Sequence, residues 1–322
     1  MLFKDLHPSD ALQVVRYADI DQFHLSELYA RAESIPLDFG AFNVMRASLR
    51  LASAGLSLVC TFPRLLSGYD LPGRLIVVVP MNGVSSTRLN GANVEQSLIL
   101  VKGKANCTVL EPEGRLVAIL SVDADGLVRA LPKLVNGHLL LQTRPNDLAD
   151  LQQLILRTIE VAARDPQAIA AADTSGELQD RLFAAFEETL CASESPHPGN
   201  QALLARYKAI LDRVDQLLLG NPAESSNEEL AERLGISVRT LQTACLTISG
   251  LSAHRYSRLK RLWAVRQQLR RTPPGLTVRA SALAHGFCHM SQFTIAYQQT
   301  FAELPSDTLE RARFGRTLLP SP

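Results

Sequence analysis

The hydrophobic pattern of this 322-residue chain changes period at Thr143-Arg144-Pro145-Asn146, and that change requires two kinds of architecture in one molecule. Before it, from residue 56 to about 128, short apolar and β-branched runs at 56–62, 74–80, 97–101, 107–111 and 116–122 alternate with turn signals. Those signals are Asn82-Gly83, Asn90-Gly91, Lys102-Gly103 and Glu113-Gly114, and the rhythm is that of a small β-sandwich or barrel. After it the period lengthens. Leu148, Leu151, Leu154, Ile155, Ile159 and Ala162 share one face of a helix, and Leu178, Leu182, Phe183, Phe186 and Leu190 share one face of a second, from about residue 177 to 190. A helix needs tertiary burial to persist in water, so each stripe belongs either to a core or to a dimer seam. Upstream of the strand region, residues 22–32 and 43–52 read as helices.

A chain of this length can hold two domains, and residues 192–200, Ala-Ser-Glu-Ser-Pro-His-Pro-Gly-Asn, mark the boundary with punctuating residues and almost no apolar ones. The expected organisation is a β sensor or effector domain at 1–145 and a helical pair at 146–192 that serves dimerisation. A linker at 193–202, a helical domain at 203–313 and a tail at 314–322 follow. Charge divides along the same line. The formal net charge is +1, yet residues 1–200 carry 17 Lys and Arg against 23 Asp and Glu, while residues 201–322 carry 16 against 9. A basic end on an acidic protein points to an acidic partner for that end.

Within the basic part, 203–219 is helical by period and stops at Gly220-Asn221-Pro222. Ser226-Asn227-Glu228-Glu229 then forms a capping box that opens the next helix. Leu230, Ala231 and Leu234 supply its apolar face, Gly235 permits a tight turn, and Ser237 caps a further helix through Leu246. This is a helix-turn-helix layout. On its second helix Val238, Leu241 and Cys245 face inwards, which leaves Arg239, Thr240, Gln242 and Thr243 to hydrogen-bond base edges or phosphates. A helix over 253–271 follows, with Arg255, Arg258, Lys260, Arg261, Arg266, Arg270 and Arg271 and no acidic residue; Leu259, Leu262, Trp263 and Leu269 are its apolar contacts. The layout then recurs: Thr277 opens a helix with Val278, Ala282 and Leu283, and Gly286 turns. Met290, Phe293, Ala296 and Tyr297 line the core side of another reading helix, with His289, Ser291, Gln292 and Ile295 outside. Nineteen residues of connecting helix span roughly 28 Å, comparable with the ~34 Å between successive major-groove faces on one side of B-DNA.

These residues resemble the DNA-binding domain of the AraC/XylS transcription regulators over about 110 positions. The motifs that carry the likeness are residues 230–242 (Leu-Ala-Glu-Arg-Leu-Gly-Ile-Ser-Val-Arg-Thr-Leu-Gln), Gly250-Leu251-Ser252, Tyr256, Arg258-Leu259-Lys260-Arg261-Leu262, Gly286-Phe287 and Phe301-Ala302-Glu303-Leu304-Pro305-Ser306. The chain departs from the family pattern at Cys245, Leu246, Ser281 and Ala302, where an aromatic, a basic, an aliphatic and a glycine residue are usual. The resemblance implies that each unit places a helix in the major groove, with Arg239, Gln242 and Thr243 in the first and Ser291 and Gln292 in the second facing bases. The N-terminal part is similar in layout to the cupin-like sensor domain that many members carry. The expected fold class is therefore α+β in two domains: a cupin-like β-sandwich or barrel with flanking helices, then an all-α domain with two helix-turn-helix units.

The expected function is a sequence-specific regulator, an activator by type, that binds promoter DNA under control of its N-terminal domain. Arg239, Gln242, Ser291 and Gln292 would read bases, Arg255, Arg258, Lys260 and Arg261 would neutralise phosphates, and Ser237, Thr240, Thr243 and His289 complete the expected DNA-binding set. The expected partners are double-stranded promoter DNA, a second copy of the chain in a homodimer, RNA polymerase for an activator, and a small-molecule effector. Arg46, Arg64 and Arg88 are candidates to meet an acidic effector.

No cofactor or metal is expected. Cupin enzymes hold a metal with several strand histidines, whereas His7, His24, His138, His197, His254, His285 and His289 all lie outside 56–128. The five cysteines are dispersed, with no Cys-x-x-Cys, and read as reduced. The N-terminus lacks a signal layout and no stretch has the roughly 18 apolar residues of a membrane span, so the expected compartment is the cytoplasm. Two other readings stay open: a regulator that keeps this fold but acts through a protein partner, and a cupin-type enzyme fused to the module.

Overall fold

A computed structural model of the chain describes residues 6–17, 19–24, 32–37, 44–82, 86–123, 137–165, 172–194, 201–220, 222, 226–273 and 275–317. Its N-terminal strands are β1 (Leu12–Tyr17), β2 (Glu33–Pro36), β3 (Val44–Arg50), β4 (Ala54–Cys60), β5 (Arg64–Pro80), β6 (Arg88–Leu89), β7 (Ala92–Asn93), β8 (Ser97–Glu111), β9 (Leu116–Asp123) and β10 (Gly137–Gln142). Among the described residues these form one antiparallel half-barrel sheet in the order β1-β3-β4-β9-β5-β8-β6-β7, with β2 added on β5 and β10 on β8. A short helix α1 (Ile20–His24) follows β1.

Residues 43–52, expected as a helix, form β3 instead. Met45, Ala47 and Leu49 are buried while Arg46, Ser48 and Arg50 are less so, a period of two that pairs β3 in register between β1 and β4. Of the expected helix at 22–32, α1 supplies the first residues, and 25–31 lie outside the described set. Lys102-Gly103 also differs from expectation. It is no turn but the point inside the continuous strand β8 where the β5 register slips between Leu71 and Leu75, and Gly103 takes φ +59° there. A glycine at positive φ serves a bulge as readily as a turn. Asn90-Gly91 is a hairpin turn as read, with both residues at positive φ, between β6 and β7.

The helices are α2 (Pro145–Arg164), α3 (Ala172–Cys191), α4 (Gln201–Gly220), α5 (Asn227–Leu234), α6 (Val238–Ser249), α7 (Ala253–Arg271), α8 (Val278–Ala284), α9 (Met290–Phe301) and α10 (Pro305–Thr317). The α2 and α3 stripes bury Leu148, Leu151, Ile155, Ile159 and Ala162, and Leu182, Phe186 and Leu190, in a core built on one face of the sheet with Leu56, Leu58, Val77, Leu100 and Leu120. Both stripes are thus taken up inside the protomer. The opposite sheet face, with Val59, Ile76, Ile99, Val101 and Ile119, belongs to a cluster that continues into Leu211 of α4, Leu241 and Ile248 of α6 and Trp263 of α7. The two apolar clusters therefore divide by the faces of the sheet, and the junction between the β part and the helical part is core.

Close approach at that junction depends on two glycines at positive φ. A Cβ on Gly91 would stand 2.8 Å from the Thr247 carbonyl, and one on Gly250 would stand 2.5 Å from a Leu110 methyl. Each has a second reason to be glycine in its backbone conformation, φ +85° and +67°.

Candidate nucleic-acid interface

The first unit is assembled by local hydrogen bonds that the sequence prescribes. Ser226 Oγ accepts from Glu229 N while Glu229 Oε2 accepts from Ser226 N, so the capping box is complete. Gly235 ends α5 in the left-handed conformation, and Ser237 Oγ accepts from Thr240 N to start α6. Leu230, Ala231, Leu234, Leu241 and Cys245 are buried between the two helices and their neighbours. Val238, expected inside, is 40% exposed. In the second unit Thr277 caps α8 through Ala280 N, and Gly286 turns at φ +76°. Ser281, a hydroxyl in the core, has its partner, since its Oγ donates to Gln268 Oε1 at 2.5 Å. Ala302 ends α9 at φ +55° in the place where the family has glycine.

Between the units runs α7, capped by Ser252 through Arg255 N and buried on several sides by Tyr256, Leu259, Leu262, Trp263, Val265 and Leu269. A helix packed on so many sides has little solvated face for its cations, and the structure divides them by what they meet. Lys260 is 11% exposed and lies between Glu33 of β2 and Asp215 of α4, whose other oxygen accepts from Tyr256 Oη at 2.7 Å. Burial alone would lower its ammonium pKa, but the two carboxylates outweigh that and raise it, so Lys260 is charged and held between them. Arg261 turns along the helix to donate to the carbonyls of His285 and Gly286 and stacks 4.9 Å from the Phe287 ring centroid. Arg266 is buried between Asp21 and Glu303.

The structure places the four cations of the phosphate set read from the sequence in two groups. Arg255 is exposed and Arg258 half-buried at the surface, whereas Lys260 and Arg261 are committed to intramolecular partners. The missing information was on other elements, because no sequence signal in 253–271 distinguishes a cation that meets Glu33 from one that meets solvent. Gln242 is likewise drawn inwards. Its Oε1 accepts from Ala253 N at 3.1 Å, so it helps seat the first turn of α7 on α6 instead of pointing freely outwards.

Arg239 and Thr243 of α6 are exposed on the outer face, and Thr243 Oγ1 donates to the Arg239 carbonyl, which leaves its lone pairs outward. Ser237 and Thr240 share a hydrogen bond at the start of the helix, where both meet solvent. On α9, His289, Ser291, Gln292 and Ile295 are exposed, as expected. An open cleft of about 450 Å³ between the N-terminal half of α7 and α9 brings together Arg258, Arg261, His289 and Gln292 with His254 and Cys288. Such a cleft, lined by guanidinium and imidazole groups beside the exposed face of α9, has the polarity to receive a phosphodiester backbone.

A second cavity lies inside the β part, about 30 Å³, with room for about one water. Its polar end is Glu111 between Arg64 and Arg115, at 2.6 and 2.8 Å, and the rest is lined by side chains such as Ile76, Ile99 and Val117. Of the three arginines expected to meet an effector, only Arg64 reaches this cavity; Arg46 is on β3 and Arg88 is exposed on β6. Among the described residues no three His, Cys, Asp or Glu side chains group as a metal site, and no helix is long and apolar enough to cross a membrane.

A family model described as a helix-turn-helix domain matches residues 230–311. The XylDLEGF operon transcriptional activator 3 of Pseudomonas putida is 38% identical over 106 residues, 32% of this chain and 31% of that protein. Its activator 2 is 37% identical over 100 residues, 30% of this chain and 64% of that protein. The chain thus spans about a third of the first relative's length and under two thirds of the second's. A solved structure of a probable AraC family transcriptional regulator from Rhodopseudomonas palustris is 30% identical, covers 32% of this chain and 97% of that one, and superposes with a TM-score of 0.30.

Proposed function

We propose, from the membership of residues 230–311 in the helix-turn-helix family of AraC/XylS type, that this chain is a cytoplasmic transcription regulator that binds promoter DNA through both units. The observation that carries the reading is the division of side chains around α7. The β part takes up Lys260 and Arg266, yet Arg239, Thr243, His289, Ser291 and Gln292 stay exposed on the two helices joined by that spacer. Arg239 and Thr243 read bases in the first unit, and His289, Ser291 and Gln292 in the second. Arg255 and Arg258 supply phosphate contacts and hence most of the salt-dependent affinity. Val238, Leu246 and Ile295, exposed beside these residues, suit thymine methyl groups. They would equally suit a protein partner, which is the second reading.

The relatives named above are operon activators, and an activating role with contact to RNA polymerase is part of the proposal. A homodimer would use outer surfaces of the helical pair, where Val161 of α2 is 48% exposed. A small-molecule effector would have to enlarge the cavity at Arg64, Glu111 and Arg115.

Selection of random-sequence duplexes by the full chain tests this function. The expected product has two blocks of base preference centred about one helical turn, roughly 10 base pairs, apart. Arg239→Ala should then relax preference at one position in one block, by about 1–3 kcal/mol of discrimination. Failure of the wild-type chain to enrich any sequence would sink DNA reading and leave the protein-partner alternative.

A further inference from the structure

The second reading unit is held by an ion network that the helical part cannot complete alone. Arg266 on α7 donates from Nη1 and Nη2 to the two carboxylate oxygens of Asp21, at 2.6 and 3.1 Å. It also donates from Nε and Nη2 to Glu303 Oε1, at 3.2 and 2.9 Å. Arg311 of α10 reaches Glu303 Oε2 at 2.8 Å and Asp21 Oδ2 at 3.7 Å, and Arg270 reaches Asp21 Oδ1 at 3.2 Å. Glu303 Oε1 further accepts from Thr308 Oγ1, which is 2.8 Å from the Tyr297 hydroxyl on α9. Three guanidinium groups from the helical part therefore face one carboxylate of that part and one from α1 of the β part. Asp21 is the residue that brings their balance closer to neutrality.

Every other member of the network stands on α7, α9, α10 or the turn between the last two, and none stands on α5 or α6. Asp21 is itself well anchored: Phe23, two residues on, packs edge-on against Tyr17 and Phe62 and lies 5.5 Å from the Arg64 guanidinium. Burial alone would raise the Asp21 carboxyl pKa, but the Arg266 hydrogen bonds and charge, with Arg270 and Arg311, hold it below the usual range.

We propose that Asp21 is a positioning residue for the second helix-turn-helix unit: by completing the Arg266–Glu303 network it lets the β part fix the seat of α9 on α7, while the first unit is held independently of it. The proposal rests on the DNA-reading function above, and its test has an arm that does not. Asp21→Asn, which keeps the shape and removes the charge, is compared with wild type and Asp21→Glu as full chains by backbone hydrogen exchange without DNA. The expected result is exchange at least fivefold faster in α8 and α9, change within twofold in α5 and α6, and recovery of most of the protection in Asp21→Glu. If the wild-type chain enriches DNA, Asp21→Asn should also flatten base preference in the block that depends on Ser291 and Gln292, and keep the block that depends on Arg239. Unchanged exchange in α8 and α9, or equal loosening of both units, would overturn the proposal whatever the DNA result. Should Asp21→Asn fail to fold, Arg270→Gln, which meets the network at Asp21 and is 29% exposed, gives the comparison: selective loosening of α8 and α9 supports the proposal, and loosening of both units or of neither overturns it.

Discussion

Glu111→Ala is expected to lower the unfolding free energy by about 3–5 kcal/mol, a large part of what a domain of ordinary stability possesses. Glu111 is 1% exposed and joins Arg64 and Arg115, themselves 1% and 6% exposed. Removal of the carboxylate leaves two cations facing each other across a cavity whose remaining walls are mostly apolar. Burial on its own would raise the Glu111 pKa, but the two arginines reverse the sign and hold it below the ordinary carboxylate value. A depressed folded value means that this carboxylate stabilises the fold above its unfolded pKa, near 4.3. The contribution declines as pH falls below that value and is gone once pH has passed the lower folded one. The wild-type chain should accordingly keep this contribution down to about pH 4 and lose it below, whereas Glu111→Ala should be weak throughout. Urea unfolding at pH 7 and in a descending pH series checks both statements; a variant within 1 kcal/mol of wild type at pH 7 would contradict the account of the triad.

Arg266→Ala is expected to cost about 3 kcal/mol, at the lower end of the range for breaking a buried ion pair, because Arg270 and Arg311 remain near the two carboxylates. Arg266 is 1% exposed and lies 5.2 Å from the Phe301 ring, and the chain's one tryptophan, Trp263, is 6.2 Å from the same ring. Tryptophan fluorescence during urea unfolding therefore reports the affected region directly. The midpoint should fall without a matching fall in the DNA salt slope, since a buried Arg266 neutralises no phosphate. An Arg266→Ala chain as stable as wild type would show that the network adds nothing to the junction.

Much of the C-terminal architecture was legible because it is written in local chemistry. The Ser226–Glu229 capping box, the turn glycines Gly235 and Gly286, and the caps at Ser237 and Thr277 act within four residues of themselves, so spacing alone identifies them. The strand rhythm was legible for the same reason, but β3 was missed because its alternation is shallow, with small Ala47 and Ser48 side by side. Gly103 was read as a turn because a positive φ is all that a sequence can promise at a glycine. The fate of the cations on α7 was not legible at all. Arg266 meets Asp21 across 245 positions and Lys260 meets Glu33 across 227, and partners that distant leave no spacing to read. Among the residues of the basic helix, such distant carboxylates decided which cations are buried and which stay at the surface.

The most direct test of the central claim, that exposed groups bind DNA while the buried cations of α7 hold the fold, is the salt dependence of full-chain binding to a selected duplex. The slope of log K against log salt should fall by about 0.9 for Arg258→Ala. It should stay unchanged, within error, for Lys260→Met at protein concentrations where both variants are folded. A fall for Lys260→Met with none for Arg258→Ala would contradict the account, because it would mean that Lys260 leaves Glu33 and Asp215 to meet the phosphates.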